Sequence, residues 1–343
     1  FFFSPMKGVL LLLLLVALAS SQKTNGGFSK VIYGEDGRLD TYQLGDFDRA
    51  LGASTVIVIE GYGVLSENDD GTYTASRTAT AEKFWDFCSS ERYSDQDILA
   101  NGNAFCSGFL ISSQWIGTAA HCSLASTNEY IIIFGFELLS SSNTRLTFEA
   151  DDVYTVSRIV AVGSPTGGAN DYGILELDRP VVGYTPYTKI NNNINVDDSL
   201  TLIGHPVGLP KKTDKGGKVT AASQSVIRGT VDSYGGNSGS PIFDENGLLV
   251  GILVGGSADF VNDGGCEISN VCPGNSGCEF LGEYIVPICS LITANTDVEE
   301  VIGINCEETQ DDGNFTYSYL EELSSDVANS SSIISMNYVL LIS

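Results

Sequence analysis

From Val31 onward the chain alternates short β-prone runs with turn clusters, and this alternation restricts the fold more than any other feature. The runs are Ser54–Glu60, Phe109–Ile116, Tyr130–Phe136, Val153–Val162, Tyr172–Leu177, Ser199–Ile203, Lys218–Val226 and Leu248–Val254. Clusters such as Glu67-Asn68-Asp69-Asp70-Gly71 and Asp244-Glu245-Asn246-Gly247 separate them. Asn, Asp and Gly tolerate the backbone angles of tight turns, so these clusters reverse the chain. No sustained helical period occupies the region. Short strands of this kind bury their apolar faces in a sandwich or a barrel, so an all-β fold is expected. No repeat at a solenoid or propeller period accompanies them.

The ends of the chain differ from this middle. Phe1–Pro5 precede Met6 and read as upstream translation. Lys7, the apolar run Val9–Leu18 and the small-residue site Ala17-Leu18-Ala19 read as a signal peptide over residues 6–19. The run is short for a membrane span, and a secreted, extracellular protein is expected. Residues 20–30 are polar and read as a short propeptide, residues 31–292 as the folded domain, and residues 293–343 as an acidic C-terminal tail. The sequons at Asn314 and Asn329 are candidate glycosylation sites. Forty-three acidic residues against 17 basic ones give a formal net charge of −26. That field repels phosphate backbones and anionic lipid surfaces, which argues against nucleic-acid and membrane partners. Eight cysteines in an exported chain imply disulfides. Zinc at Cys266, Cys272 and Cys278 is the weaker reading, because no histidine lies nearby. Neither a cofactor nor a metal is expected, and the chain is read as a monomer.

Chemistry is sought among few residues. A serine hydroxyl becomes a useful nucleophile only beside a base, a group that orients the base, and donors for the oxyanion. Of the two histidines, His121 follows the β-prone run Trp115-Ile116-Gly117-Thr118 and the small pair Ala119-Ala120. Those residues let the chain turn tightly and present an imidazole at a cleft edge. The other, His205, sits between prolines and glycines in Gly204-His205-Pro206-Val207-Gly208-Leu209-Pro210 and reads as structural or as part of a subsite. Ser238 lies in Gly235-Gly236-Asn237-Ser238-Gly239-Ser240-Pro241. The flanking glycines permit a sharp turn in which the N–H groups of Gly236 and Ser238 point at one spot, an oxyanion hole. Asp171 stands at the mouth of the apolar run Tyr172–Leu177 and is the candidate carboxylate. Its competitors Asp151, Asp152 and Asp178 read as exposed turn positions.

Taken together and in this order, Cys106-Ser107-Gly108-Phe109-Leu110-Ile111, Thr118-Ala119-Ala120-His121-Cys122, Asp171-Tyr172-Gly173-Ile174-Leu175 and Gly236-Asn237-Ser238-Gly239-Ser240-Pro241 resemble the trypsin-like serine peptidases. The resemblance spans roughly Cys88 to Cys289. It implies two antiparallel six-stranded β-barrels with the active site between them, and a Cys106–Cys122 bridge. It also implies His121, Asp171 and Ser238 as a triad. The Gly-Asn-Ser-Gly-Ser-Pro form is similar to glutamyl endopeptidases and bacterial trypsin-like peptidases. Asn237 stands where animal trypsins carry an aspartate that pairs with the freed N-terminus, so activation by that ion pair is not expected.

Specificity is read from the same resemblance. Asp232, with its neighbour Ser233, falls where trypsins place the base of the pocket, which implies Arg or Lys at P1 through a charge-assisted pair. The competing reading has Asp232 bonding loop backbone and never meeting substrate. Leu253 stands where similar glutamyl endopeptidases carry a pocket histidine. Val254, Gly255 and Gly256 would form the edge that pairs with the substrate backbone. The function expected is therefore a serine endopeptidase acting on a protein or peptide substrate. A catalytically inactive binding module, a Glu-preferring endopeptidase and an esterase are the alternatives.

Overall fold

The computed structural model describes residues 31–306 except 62, 77, 100–104, 124–126, 128–129, 166–167 and 273–281. The signal peptide, the propeptide and both sequons lie outside the described residues. Strands Thr55–Glu60 (β1), Phe105–Leu110 (β2), Trp115–Thr118 (β3), Tyr130–Phe134 (β4), Val153–Val162 (β5) and Gly173–Leu177 (β6) close into a barrel. Around the ring the order is β1, β2, β3, β6, β5, β4, and β4 pairs back with β1. A second ring follows in sequence: Ser199–Gly204 (β7), Lys212–Ala222 (β8), Ile227–Gly229 (β9), Pro241–Phe243 (β10), Leu249–Gly255 (β11) and Glu283–Pro287 (β12). Its order is β7, β10, β11, β12, β9, β8, with β8 pairing back to β7. Read from the first strand in the opposite sense, this is the order of the first ring. The expected pair of antiparallel six-stranded barrels is what the strands build.

The strands form where alternation and β-branched residues favour them. Thr55-Val56-Ile57-Val58-Ile59 is β-branched throughout and buried on both faces. One side faces the cluster that contains Phe109, Ile116 and Phe134, and the other faces Leu99, Phe136 and Phe148. The second barrel closes over Leu200, Leu202, Val219, Val231, Ile242, Leu253 and Ile285. Each fully buried side chain of this size contributes about 1.5–3 kcal/mol. The first cluster also takes in Phe243, Ile252 and Val254 from the second barrel, so the two barrels share a packed seam.

Boundaries differ from expectation in three places. The apolar run Phe109–Ile116 is not one strand. It crosses a turn in which Ile111 N–H bonds Trp115 O (2.9 Å). The run Lys218–Val226 ends in a reversal, Ser223 N–H to Val226 O (3.0 Å), and the strand extends backward to Lys212 instead. The acidic tail does not begin at residue 293. Helices Ile288–Ile292 and Thr296–Ile302 carry Val298 and Ile302 into the core, followed by Ile304, and Cys289–Cys306 closes the segment. Asn295 caps the second of them by accepting the Val298 N–H (2.9 Å).

Among the described residues, disulfides join Cys106 to Cys122, Cys88 to Cys266 and Cys289 to Cys306. Cys266 is therefore a bridge partner of Cys88 and supplies no thiolate. Replacing Cys289 and Cys306 by serine releases a closed loop with a sequence separation of 17. The expected loss is about 3 kcal/mol, read as a lowered urea midpoint. An unchanged midpoint would show that apolar packing alone seats the C-terminal helix.

Candidate active site

Strands β3 and β6 are antiparallel neighbours, with Gly173 opposite Thr118 and Leu175 opposite Ile116. The end of β3 and the start of β6 therefore lie at one rim of the barrel. His121 follows β3 by three residues and Asp171 precedes β6 by two, so the register itself brings them together. His121 Nδ1 stands 2.8 Å from Asp171 Oδ2, and His121 N–H donates to Asp171 Oδ1 at 3.1 Å. Asp171 has no exposed surface, whereas the imidazole keeps 21% of its surface exposed. A buried carboxylate holding Nδ1–H fixes the tautomer in which Nε2 carries the lone pair.

Ser238 comes from the other barrel, two residues before Ser240 leads into β10. Its carbonyl accepts the Ser107 N–H at 2.8 Å and lies 3.7 Å from Cys122 Sγ, on the residue next to His121. Gly239 makes the approach possible. A Cβ there would lie 2.1 Å from Ser107 O and 2.2 Å from Thr118 Oγ1, and its φ is +87°. Gly236 also has positive φ, +91°, which turns the chain just before the serine. Ser107 Oγ donates to Gly236 O (2.9 Å), and Gly239 N–H donates to Leu253 O (2.7 Å). The Cys106–Cys122 bridge ties β2 to the His121 loop. Its two sulfurs and His121 stand close together, but disulfide sulfurs are not the thiolates a metal would require.

The rival carboxylates are elsewhere. Asp151 and Asp178 are exposed, as expected. Asp152 is instead buried, bonded to Arg145, Tyr184 and the Glu149 N–H. His205 is buried and structural. Nδ1 stands 3.1 Å from Leu209 O, the ring stacks on Phe136, and burial with the nearby Lys211 charge pushes its pKa down to about 3.

The residues read for specificity are mostly buried, and the Asp232 carboxylate is turned to backbone N–H groups. Its Oδ1 accepts the Tyr33 N–H (2.7 Å) and its Oδ2 the Gly37 N–H (2.8 Å), and it is 4% exposed. Of the two readings above, the geometry is that of a carboxylate bonding backbone. Ser233 is fully buried and accepts from Asn237 Nδ2 (3.0 Å). Leu253 points into the core of the second barrel beside Leu200 and Ile285. Val254 is buried in the seam, and Gly255 is paired with Tyr284. Gly256 is partly exposed and faces the buried Glu283 carboxylate, which a Cβ there would meet at 2.0 Å. Glu283 Oε1 accepts from Tyr33 Oη (3.2 Å).

Sequence reasoning passed over Asp214 and Arg38. Asp214 Oδ2 accepts the Asp232 N–H (2.8 Å), and Asp214 Oδ1 accepts from Gly216 (3.1 Å). Arg38 is buried, is bonded to Asp36, and lies over the Tyr234 ring at 3.8 Å. The charged string Lys211-Lys212-Thr213-Asp214-Lys215, whose first four residues are buried, hid the start of β8.

Residues 106–252 match the family model described as trypsin-like peptidase domain. Among curated proteins, the glutamyl endopeptidase of Bacillus licheniformis is 26% identical over 147 residues, covering 41% of this chain and 46% of that protein. A glutamyl endopeptidase of Staphylococcus aureus is 33% identical over 87 residues, covering 23% of this chain and 27% of that one. The chain thus spans less than half the length of these relatives. Among solved structures, a Glu endopeptidase in complex with MPD aligns over 80% of this chain and 98% of its own, with TM-score 0.45 and 16% identity. Deg5 aligns over 73% and 94%, with TM-score 0.39 and 15% identity.

The Asp214–Asp232 pair gives a pH signature. Burial first, and the adjacent Asp232 charge second, push the Asp214 carboxyl from 3.8 up to about 7. Between those values the folded chain holds a proton that the unfolded chain has released. Its contribution to stability therefore falls as pH rises across that window and levels off above it. Asp214→Asn is expected to flatten this decline in thermal midpoints measured from pH 4 to pH 8, relative to the native chain. Parallel curves for the two proteins would refute the assignment.

Proposed function

We propose that the chain is a secreted serine endopeptidase in which Ser238, His121 and Asp171 act as the triad. The observation that carries this is the buried Asp171 carboxylate on His121 Nδ1, on the same rim as the Ser238 turn. Ser238 Oγ attacks the scissile carbonyl carbon while its proton passes to His121 Nε2. The negative charge that forms on the carbonyl oxygen is received by the N–H groups of Gly236 and Ser238. The C–N bond then breaks, His121 returns the proton to the leaving amine, and an ester remains on Ser238. Water attacks this ester with His121 again taking a proton, and the acid product leaves with Ser238 restored. Asp171 keeps Nδ1–H oriented and stabilises the imidazolium formed at each step.

The substrate backbone is taken up along Val254–Gly256 as an added strand. Against Arg or Lys at P1 through Asp232 stands the engagement of both its oxygens by backbone N–H groups. The relatives' name makes Glu at P1 the second reading. Leu253, inside the barrel core, supplies no imidazole for it. Export is supported by the apolar N-terminal run and by the disulfides.

Ser238→Ala is expected to abolish labelling by a serine-directed phosphonate and to lower kcat by about 10⁴-fold or more. Asp171→Asn should cost about 10⁴-fold in kcat, since it favours the wrong tautomer. Full activity in Ser238→Ala would sink the assignment. Absence of labelling in the native protein would favour a binding module. Cleavage of a random peptide pool, rather than a simple ester alone, separates endopeptidase from esterase and reads P1 directly.

A further inference from the structure

The turn that carries Ser238 is held from two sides. On one side, β2 supplies the Ser107 N–H to Ser238 O and the Ser107 hydroxyl to Gly236 O. On the other lies a strap, residues 31–40, from the far end of the chain. Tyr33 and Asp232 are 199 residues apart in sequence. The strap is tied at both of its ends. Ile32–Tyr33 runs parallel beside Val271–Cys272, and Leu39–Asp40 pairs with β8 through Asp40 opposite Lys212. Between these ties it meets the loop before Ser238. Ser233 N–H donates to Val31 O (3.1 Å), and Asp232 accepts from Tyr33 and Gly37. Arg38 lies over Tyr234 and is charge-paired with Asp36. From there the bonds run straight into the turn: Asn237 N–H to Tyr234 O (3.1 Å), and Asn237 Nδ2 to Ser233 Oγ (3.0 Å).

We propose that Asp232 is a positioning residue: by anchoring residues 31–40 it fixes the backbone of residues 233–237 and so aims the Gly236 and Ser238 N–H groups. Its catalytic consequence rests on the serine-peptidase reading above. The charge logic explains why a neutral Asn237 is tolerated. In animal trypsins the resemblance implies an ion pair from a freed N-terminus to the residue at position 237. Here the carboxylate stands at 232 and its donors are N–H groups inside the chain. The anchor is therefore complete without an α-amino group. A buried carboxylate that accepts two backbone N–H groups is also hard to replace, because removing it takes the acceptor from both donors.

The test uses the secreted chain with Asp232→Ala and Asp232→Asn, compared with the native protein. Hydrogen exchange is followed in peptides covering residues 31–37, 107–118 and 233–238, alongside kcat, KM and the phosphonate labelling rate. Asp232→Ala should lose protection in both 31–37 and 233–238 while 107–118 keeps it. Its kcat should fall about 10²-fold, as for a lost oxyanion donor, with KM nearly unchanged. Asp232→Asn keeps one acceptor and should recover part of both losses. It also carries the test if the alanine variant does not fold. Lost protection in 31–37 with unchanged exchange in 233–238 and unchanged kcat would overturn the proposal. If the native protein neither hydrolyses nor labels, yet exchange at 233–238 still follows Asp232, the peptidase reading fails and the positioning role stands.

Discussion

One strand pairing underlies the candidate site. Because β3 and β6 are antiparallel with Gly173 opposite Thr118, the residues just beyond each strand meet at one rim. A slip of one residue would exchange the faces of β6 and send Ile174 and Leu175 to the wrong sides. The His121–Asp171 geometry is thus secured by core packing rather than by the loops that carry the residues. The Ser238 turn then docks on this rim through Ser107 and through the close approach that Gly239 allows.

A chain with a net charge of −26 must still decide what to do with its buried acids. Several different solutions appear side by side. Asp40 lies against Lys212 and Gln96, Asp152 against Arg145, and Asp171 against His121 and a backbone N–H. Asp232 and Asp214 use mostly backbone donors; burial raises the pKa of both, and the Asp232 charge raises that of Asp214 further. The first group sets each carboxylate against a cationic or imidazole side chain. The second tolerates charge in exchange for holding loops that no regular strand ladder would hold.

Legibility in the sequence followed the range of the interaction. His121 and Ser238 were readable because their neighbours, Ala119-Ala120 before one and Gly236 and Gly239 around the other, announce the local turns. The strands were readable from alternation, apart from boundaries where apolar residues run through a turn, as at Ile111 to Trp115. Asp232 was open to two readings because its position relative to Ser238 says nothing about which way its carboxylate points. Its partners Tyr33 and Gly37 are contributed from the opposite end of the chain. The C-terminal helix was lost among acidic residues, although Val298 and Ile302 are spaced i, i+4 and Asn295 offers a cap. The missing knowledge in each case was tertiary: which distant segment completes the hydrogen bonds.

The Cys88–Cys266 bridge joins residues separated by 178 positions, and His121, Asp171 and Ser238 all fall inside that span. A single nick anywhere within it produces two fragments that remain one covalent molecule. Exposed turns inside the span, such as residues 140–143, are therefore places where the backbone can be severed without releasing a piece. Such a nicked population would migrate at full size until reduced, and only thiol treatment would reveal how often its molecules had been cut.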